Sequence, residues 1–142
     1  MPWAARVAVA AALVSGATVI GAGMAAAQPH HPAPAARTSA KVVQEASRPG
    51  FGKILVTAGK GMALYTNPAG CSPGCRTIWP ALLLPKGATT PTGAPCLATA
   101  KLGTRLQVTY RKMRLYTFTG DHGHSVNGNG VAGFSVAKVV KC

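Results

Sequence analysis

Val56-Thr57 … Met62-Ala63-Leu64-Tyr65-Thr66 recurs downstream as Val108-Thr109 … Met113-Arg114-Leu115-Tyr116-Thr117. The Leu-Tyr-Thr triplets are offset by 51 residues and the Val-Thr pairs by 52, which reads as one residue lost from the turn between them. In each copy two runs rich in β-branched and aromatic residues flank a turn, the pattern of a β-hairpin. A hairpin stated twice at a fixed period is one unit used twice. Working outward, residues 53–57 read as a strand and residues 62–66 as its return. Between them Ala58-Gly59-Lys60-Gly61 is a turn with two glycines suited to positive φ. Asn67-Pro68-Ala69-Gly70 ends the unit. Residues 76–79 read as a short helical turn before Pro80, and residues 85–96 as a Pro/Gly/Thr loop. The second unit has a strand at residues 106–110, a turn at Arg111-Lys112 and a return at residues 113–118. Along that return Tyr116 and Phe118 share one face, while Met113, Leu115 and Thr117 share the other. Residues 119–124 form a loop, Asn127-Gly128-Asn129-Gly130 a turn, and residues 131–140 a closing strand. No amphipathic helix longer than about three turns is present. The expected fold is all-β: two β-hairpin repeat units in one small disulfide-stapled domain, with most strands antiparallel because the hairpins are local.

Residues 1–27 read as an export signal. Residues 1–6 are short and positive, and residues 7–23 are uncharged and rich in Ala, Val and Ile. Ala25 and Ala27 supply the small residues that signal peptidase needs, which places the cut before Gln28. The apolar stretch is nearly long enough to span a bilayer, so a retained anchor is the competing reading. Its Ala/Gly-rich composition argues against that, and no Cys follows it, which closes the lipoprotein route. Residues 28–50 read as a linker without apolar period, kept extended by Pro29, Pro32 and Pro34. His30 and His31 fall in it, and a flexible pair without further ligands makes a poor metal site. Residues 51–142 remain as one small domain, near the size where a single core is marginal. The product is expected to be secreted, extracellular or envelope-associated, with no membrane span once cut.

All four cysteines, Cys71, Cys75, Cys96 and Cys142, lie in that domain. An even count in an exported chain reads as disulfides, and four cysteines allow three pairings. Cys71–Cys75 and Cys96–Cys142 are favoured. Ser72-Pro73-Gly74 is a turn that brings the first pair together, and the second staples the last residue to the middle of the domain. By loop entropy the long closure is worth roughly 4 kcal/mol and the short one roughly 2 kcal/mol. A four-thiolate zinc site would have the spacing C-x3-C-x20-C-x45-C, which lacks a second tight pair.

The chain carries 15 Lys/Arg against 2 acids, Glu45 and Asp121, a formal charge of +13. Such a surface attracts polyanions. Outside the membrane these are an anionic cell-wall polymer, a lipid headgroup or an acidic protein. Nucleic acid is not expected for an exported chain. Arg105, Arg111, Lys112 and Arg114 form the densest basic group and bracket one hairpin, so they are the candidate anion-binding residues. The competing reading is a solvated turn and a charge that serves solubility.

Several pieces together resemble a known family. They are Gly61-Met62-Ala63-Leu64-Tyr65-Thr66, Cys71-x3-Cys75-x3-Trp79-Pro80, Tyr110 … Leu115-Tyr116-Thr117-Phe118-Thr119-Gly120-Asp121, and Asn127-Gly128-Asn129-Gly130-Val131-x-Gly133-Phe134. They look like the secreted repeat family of unknown function, predicted bacterial lipoproteins with a Y-x-(F/W/Y)-x-x-D motif. The resemblance runs over residues 53–140. It implies export and repeated β-hairpins, and names no activity. Its motif maps onto Tyr116, Phe118 and Asp121. In the first unit Tyr65 is kept, but Asn67 and Gly70 replace the aromatic and the acid. The Asn-Gly hairpin turn common in the family is Arg111-Lys112 here, and the lipobox is absent.

Asp121 is the only acid within residues 51–142. Its first reading is structural, a turn carboxylate accepting backbone N–H groups or pairing with Arg or Lys. The sharper reading joins Asp121, His122 and His124 as a Zn²⁺ or Cu²⁺ site, with Gly123 letting the loop curl and Met62 or Met113 able to add a soft ligand. Catalysis is not expected. A usual glycosidase needs two carboxylates, no G-x-S-x-G elbow is present, and four paired cysteines leave no thiol nucleophile. Ser125 lies near Asp121, His122 and His124, but a triad needs a frame of separate elements. No cofactor is implied. Tyr65, Trp79, Tyr110, Tyr116, Phe118 and Phe134 are expected mainly to supply core area.

Overall fold

A computed structural model describes residues 37–142. The expected export signal, the cut before Gln28 and the His30-His31 pair lie outside the described residues. In chain order the elements are β1 (Ser39–Lys41), β2 (Val43–Arg48), β3 (Gly52–Thr57), β4 (Tyr65–Thr66), a 3-10 turn (Cys75–Thr77), β5 (Thr90–Thr92), β6 (Leu97–Leu102), β7 (Arg105–Tyr110), β8 (Met113–Arg114) and β9 (Ser135–Val136). The fold is all-β, built on two antiparallel hairpins, β2–β3 and β6–β7, with two disulfides. Among the described residues no helix is long and apolar enough to cross a membrane.

The folded domain begins earlier than residue 51. Residues 39–48, read as linker, are the strands β1 and β2. Val43 is fully buried, and β2 runs antiparallel to β3 along all six residues, from Val43 opposite Thr57 to Arg48 opposite Gly52. β2 shows no apolar period because it pairs with β3 alone and carries Gln44, Glu45 and Ser47. A strand on the edge of a sheet tolerates polar residues that a central strand cannot. The loop at residues 85–96 likewise contains a strand, β5, which runs parallel to β1.

The two units pair in a register that differs from the sequence match. Val56 bridges Ala63, and the Thr57 N–H donates to the Met62 carbonyl (2.8 Å). In the second unit the corresponding pairs are Thr109 with Arg114 and Tyr110 with Met113. Val56-Thr57 therefore matches Thr109-Tyr110, not Val108-Thr109. The second turn is shorter by two residues, Arg111-Lys112 against Ala58-Gly59-Lys60-Gly61. The reason is facing: a one-residue slip sends a side chain to the other side of the sheet. Leu55 and Val108 occupy equivalent places and fill one cluster together.

Each unit completes its sheet with a segment that follows the other. Residues 80–84 come after the first unit yet pair with the second. The Leu82 N–H donates to the Leu115 carbonyl (3.0 Å), and the Val108 N–H donates to the Leu82 carbonyl (2.8 Å). Residues 135–139 come after the second unit yet pair with the first. The Ala137 N–H donates to the Leu64 carbonyl (2.8 Å), and the Leu55 N–H donates to the Ala137 carbonyl (2.8 Å). The units meet at their matching tyrosines, where the Tyr65 N–H reaches the Tyr116 carbonyl (2.8 Å) and the Tyr116 N–H reaches the Tyr65 carbonyl (2.9 Å). That reciprocal bridge marks a local two-fold axis between the halves.

Side-chain alternation then makes two clusters. On one side Val43, Leu55, Leu64 and Ala137 of the first unit pack with Leu84, Val108 and Leu115 of the second. On the other, Ile54, Val56, Ala63 and Tyr65 are covered by Trp79, Tyr116, Phe134 and Val136. The second unit has no such apolar outer face. At the places of Ile54, Val56 and Ala63 stand Gln107, Thr109 and Arg114. Gln107 is buried and satisfied: its amide donates to the Leu115 carbonyl (2.9 Å) and its Oε1 accepts from Arg114 (2.8 Å).

Candidate functional site

The motif residues gather at the cover of the first unit. The Tyr65 hydroxyl donates to Asp121 Oδ2 (2.7 Å) and accepts from the Gly128 N–H (3.2 Å). Asp121 Oδ1 accepts from the Asn127 N–H (2.7 Å), with the Ser125 hydroxyl at 3.4 Å. Burial and the carboxylate partner both push the Tyr65 phenol well above its ordinary value near 10. Phe118 stacks on Trp79 (4.4 Å between centroids) and Trp79 on Phe134 (3.7 Å), with Tyr65 edge-on to Trp79 (5.3 Å). The Cys71–Cys75 staple (Cα–Cα 5.4 Å) helps hold this layer, because the Trp79 N–H bonds the Cys75 carbonyl (3.0 Å). Gly128 closes it: a Cβ there would stand 2.8 Å from Trp79 and 2.9 Å from Tyr65. This is a latch that pins residues 118–128 over the core, and its chemistry is structural.

The metal triad is not assembled. Among the described residues no group of three His, Cys, Asp or Glu side chains converges to hold an ion. Asp121 is buried and turned to Tyr65, whereas His122 and His124 are exposed. His124 lies instead beside Gly61 and Arg48, its Nε2 3.5 Å from where a Gly61 Cβ would sit. Adjacent positions in a loop do not make side chains converge when one of them is needed as an internal hydrogen-bond acceptor.

The four candidate anion-binding residues separate only in part: Arg105 stands away from the turn, whereas Lys112 and Arg114 line one depression with Met113. Arg105 begins β7 and Arg111 follows its end, about 20 Å apart at strand rise. Arg105 donates to the Leu84 carbonyl (2.8 Å). Arg114 is spent across the sheet, on Gln107 Oε1 (2.8 Å) and the Lys101 carbonyl (2.9 Å). Arg111 and Lys112, at the tip, are exposed.

New neighbours join that tip. A groove of about 510 Å³ is lined by Arg111, Met113, Tyr110, Val136, Lys138 and Val140 among others. A second depression of about 340 Å³ runs between Arg111, Lys112, Lys141 and the Cys96–Cys142 pair. No acidic side chain lines either one. Lys138 and Lys141 were missed because they lie far along the chain. The signal was the cysteine pairing: Cys142 is bonded to Cys96, whose carbonyl accepts from the Arg111 N–H (3.1 Å). That connection carries the C-terminal lysines to the turn. No family model, curated protein or solved structure matches this chain.

Proposed function

We propose that this protein is a secreted module of the Y-x-(F/W/Y)-x-x-D repeat kind that binds anionic polymers of the cell envelope through its basic surface. The observation that carries this reading is the cationic end of the molecule. Arg111, Lys112, Lys138 and Lys141 border two adjoining depressions that no acidic side chain lines. Like charges gathered in a concave surface raise the local potential more than the same charges spread out. Of the 2 acids, Asp121 is buried in the latch, so Glu45 alone is an exposed acidic side chain. The two disulfides suit an oxidising compartment. The test is retention on anionic wall polymer over a salt series. Arg111→Glu with Lys112→Glu should weaken binding most at low salt, with the loss shrinking as screening grows. The control is Lys60→Glu with Lys86→Glu. Both are exposed, and Lys60 sits on the matching turn of the other unit. Equal weakening by both pairs would make the charge a diffuse background, and absence of binding at physiological salt would end the reading.

A further inference from the structure

Met113 (37 % exposed) and Val140 (39 % exposed) are two of the large apolar side chains that the fold leaves in solvent, and both line the groove that Arg111 and Lys138 border. Phe51, Tyr110 and Val136 continue the apolar lining inward. Lys112 and Lys141 stand in the adjoining depression. A hydrated wall polymer makes use of the charges and gains nothing from the apolar rim. A bilayer surface with anionic headgroups uses both, since apolar tips enter the headgroup boundary while flanking cations meet phosphates. An added peptide strand would need free backbone donors along this edge. Four of the five N–H groups of residues 136–140 are engaged, those of Val136 by Asn129 Oδ1 (3.0 Å), Ala137 by Leu64, Val139 by Lys53 and Val140 by the Tyr110 hydroxyl (3.0 Å), and the Lys138 N–H by itself is too little to seat a strand. Docking here falls to side chains.

We infer that this end of the molecule docks on an anionic lipid surface, Met113 and Val140 entering the headgroup layer and Arg111, Lys112, Lys138 and Lys141 pairing with its phosphates. The inference rests on the cationic end proposed above but asks for a different occupant, so the two can fail separately. The exported, processed chain is sedimented with vesicles of phosphatidylcholine containing about a third phosphatidylglycerol, and with phosphatidylcholine alone; binding to soluble polyphosphate is measured beside it. Wild type should bind the anionic vesicles and not the neutral ones. Met113→Ser with Val140→Ser should weaken vesicle binding roughly tenfold, from lost apolar burial, and leave polyphosphate binding unchanged. Arg111→Asn with Lys112→Gly removes two charges and suits the turn, so the variant folds; it should weaken vesicle binding roughly thirtyfold and polyphosphate binding as well. Vesicle binding that survives the serine pair, or that is equal on neutral lipid, overturns the inference. Polyphosphate binding without vesicle binding overturns it too while leaving the proposed function standing, and loss of both ends both.

Discussion

At the residue scale, Tyr65 joins the two halves of the chain. Its backbone pairs with Tyr116 and its hydroxyl bonds Asp121 and Gly128. Burial comes first in raising the phenol's pKa, and the adjacent carboxylate adds to it, since a phenolate there would face a second negative charge. The raised folded-state pKa sets the sign of the pH dependence. The stabilisation is whole below the unfolded value near 10 and is lost as pH climbs above it, because the unfolded chain releases the proton first. Tyr65→Phe should cost about 1–3 kcal/mol at pH 7, leaving Asp121 and the Gly128 N–H short of a partner. Its deficit against wild type should narrow above pH 10. Urea denaturation of both proteins from pH 7 to 11 checks this, and a constant difference would refute the assignment. Asp121 was legible as a turn carboxylate from Gly120 and Gly123. Its phenol partner was not, because the two lie 56 residues apart.

At the element scale, the tight turn of the second unit is occupied by two residues poorly suited to it. Arg111 and Lys112 have φ of 48° and 68°, the left-handed pair that a two-residue hairpin turn demands and that Asn-Gly supplies with least strain. Arg111→Asn with Lys112→Gly should therefore raise stability by about 1–2 kcal/mol. Thermal unfolding measures it, and a lowered midpoint would contradict this account of the turn. The strain sits at the exposed cationic tip. The turns joining residues 53–57 to 62–66 and 106–110 to 113–118 were readable from the β-branched runs on either side. The register between copies was not, because Val56-Thr57 and Val108-Thr109 match as letters while facing opposite sides of their sheets. β2 was unreadable for a related reason: it is a strand only because β3 lies beside it.

At the scale of the whole molecule, the Cys96–Cys142 bond (Cα–Cα 5.9 Å) spans 46 residues and anchors the closing segment. Replacing both cysteines by Ser should cost roughly 4 kcal/mol by loop entropy. It should also weaken polyanion binding, since Lys141 is then no longer tied beside Arg111. Denaturation and retention measured on the same sample test the two effects together, and undiminished retention would separate the disulfide from the basic end. The sequence by itself determined the all-β class with local antiparallel strands, the even pairing of the cysteines and the excess of positive charge. These follow from composition, local alternation and short turns, which act within a few residues. Tertiary structure alone decided that residues 80–84 and 135–139 cross to the opposite unit, that Asp121 faces Tyr65 and not His122 and His124, and that Lys138 and Lys141 join Arg111 while Arg105 does not. The physical reason is that side-chain direction depends on which strand lies alongside, and here each unit's third strand is supplied by the segment that follows the other unit.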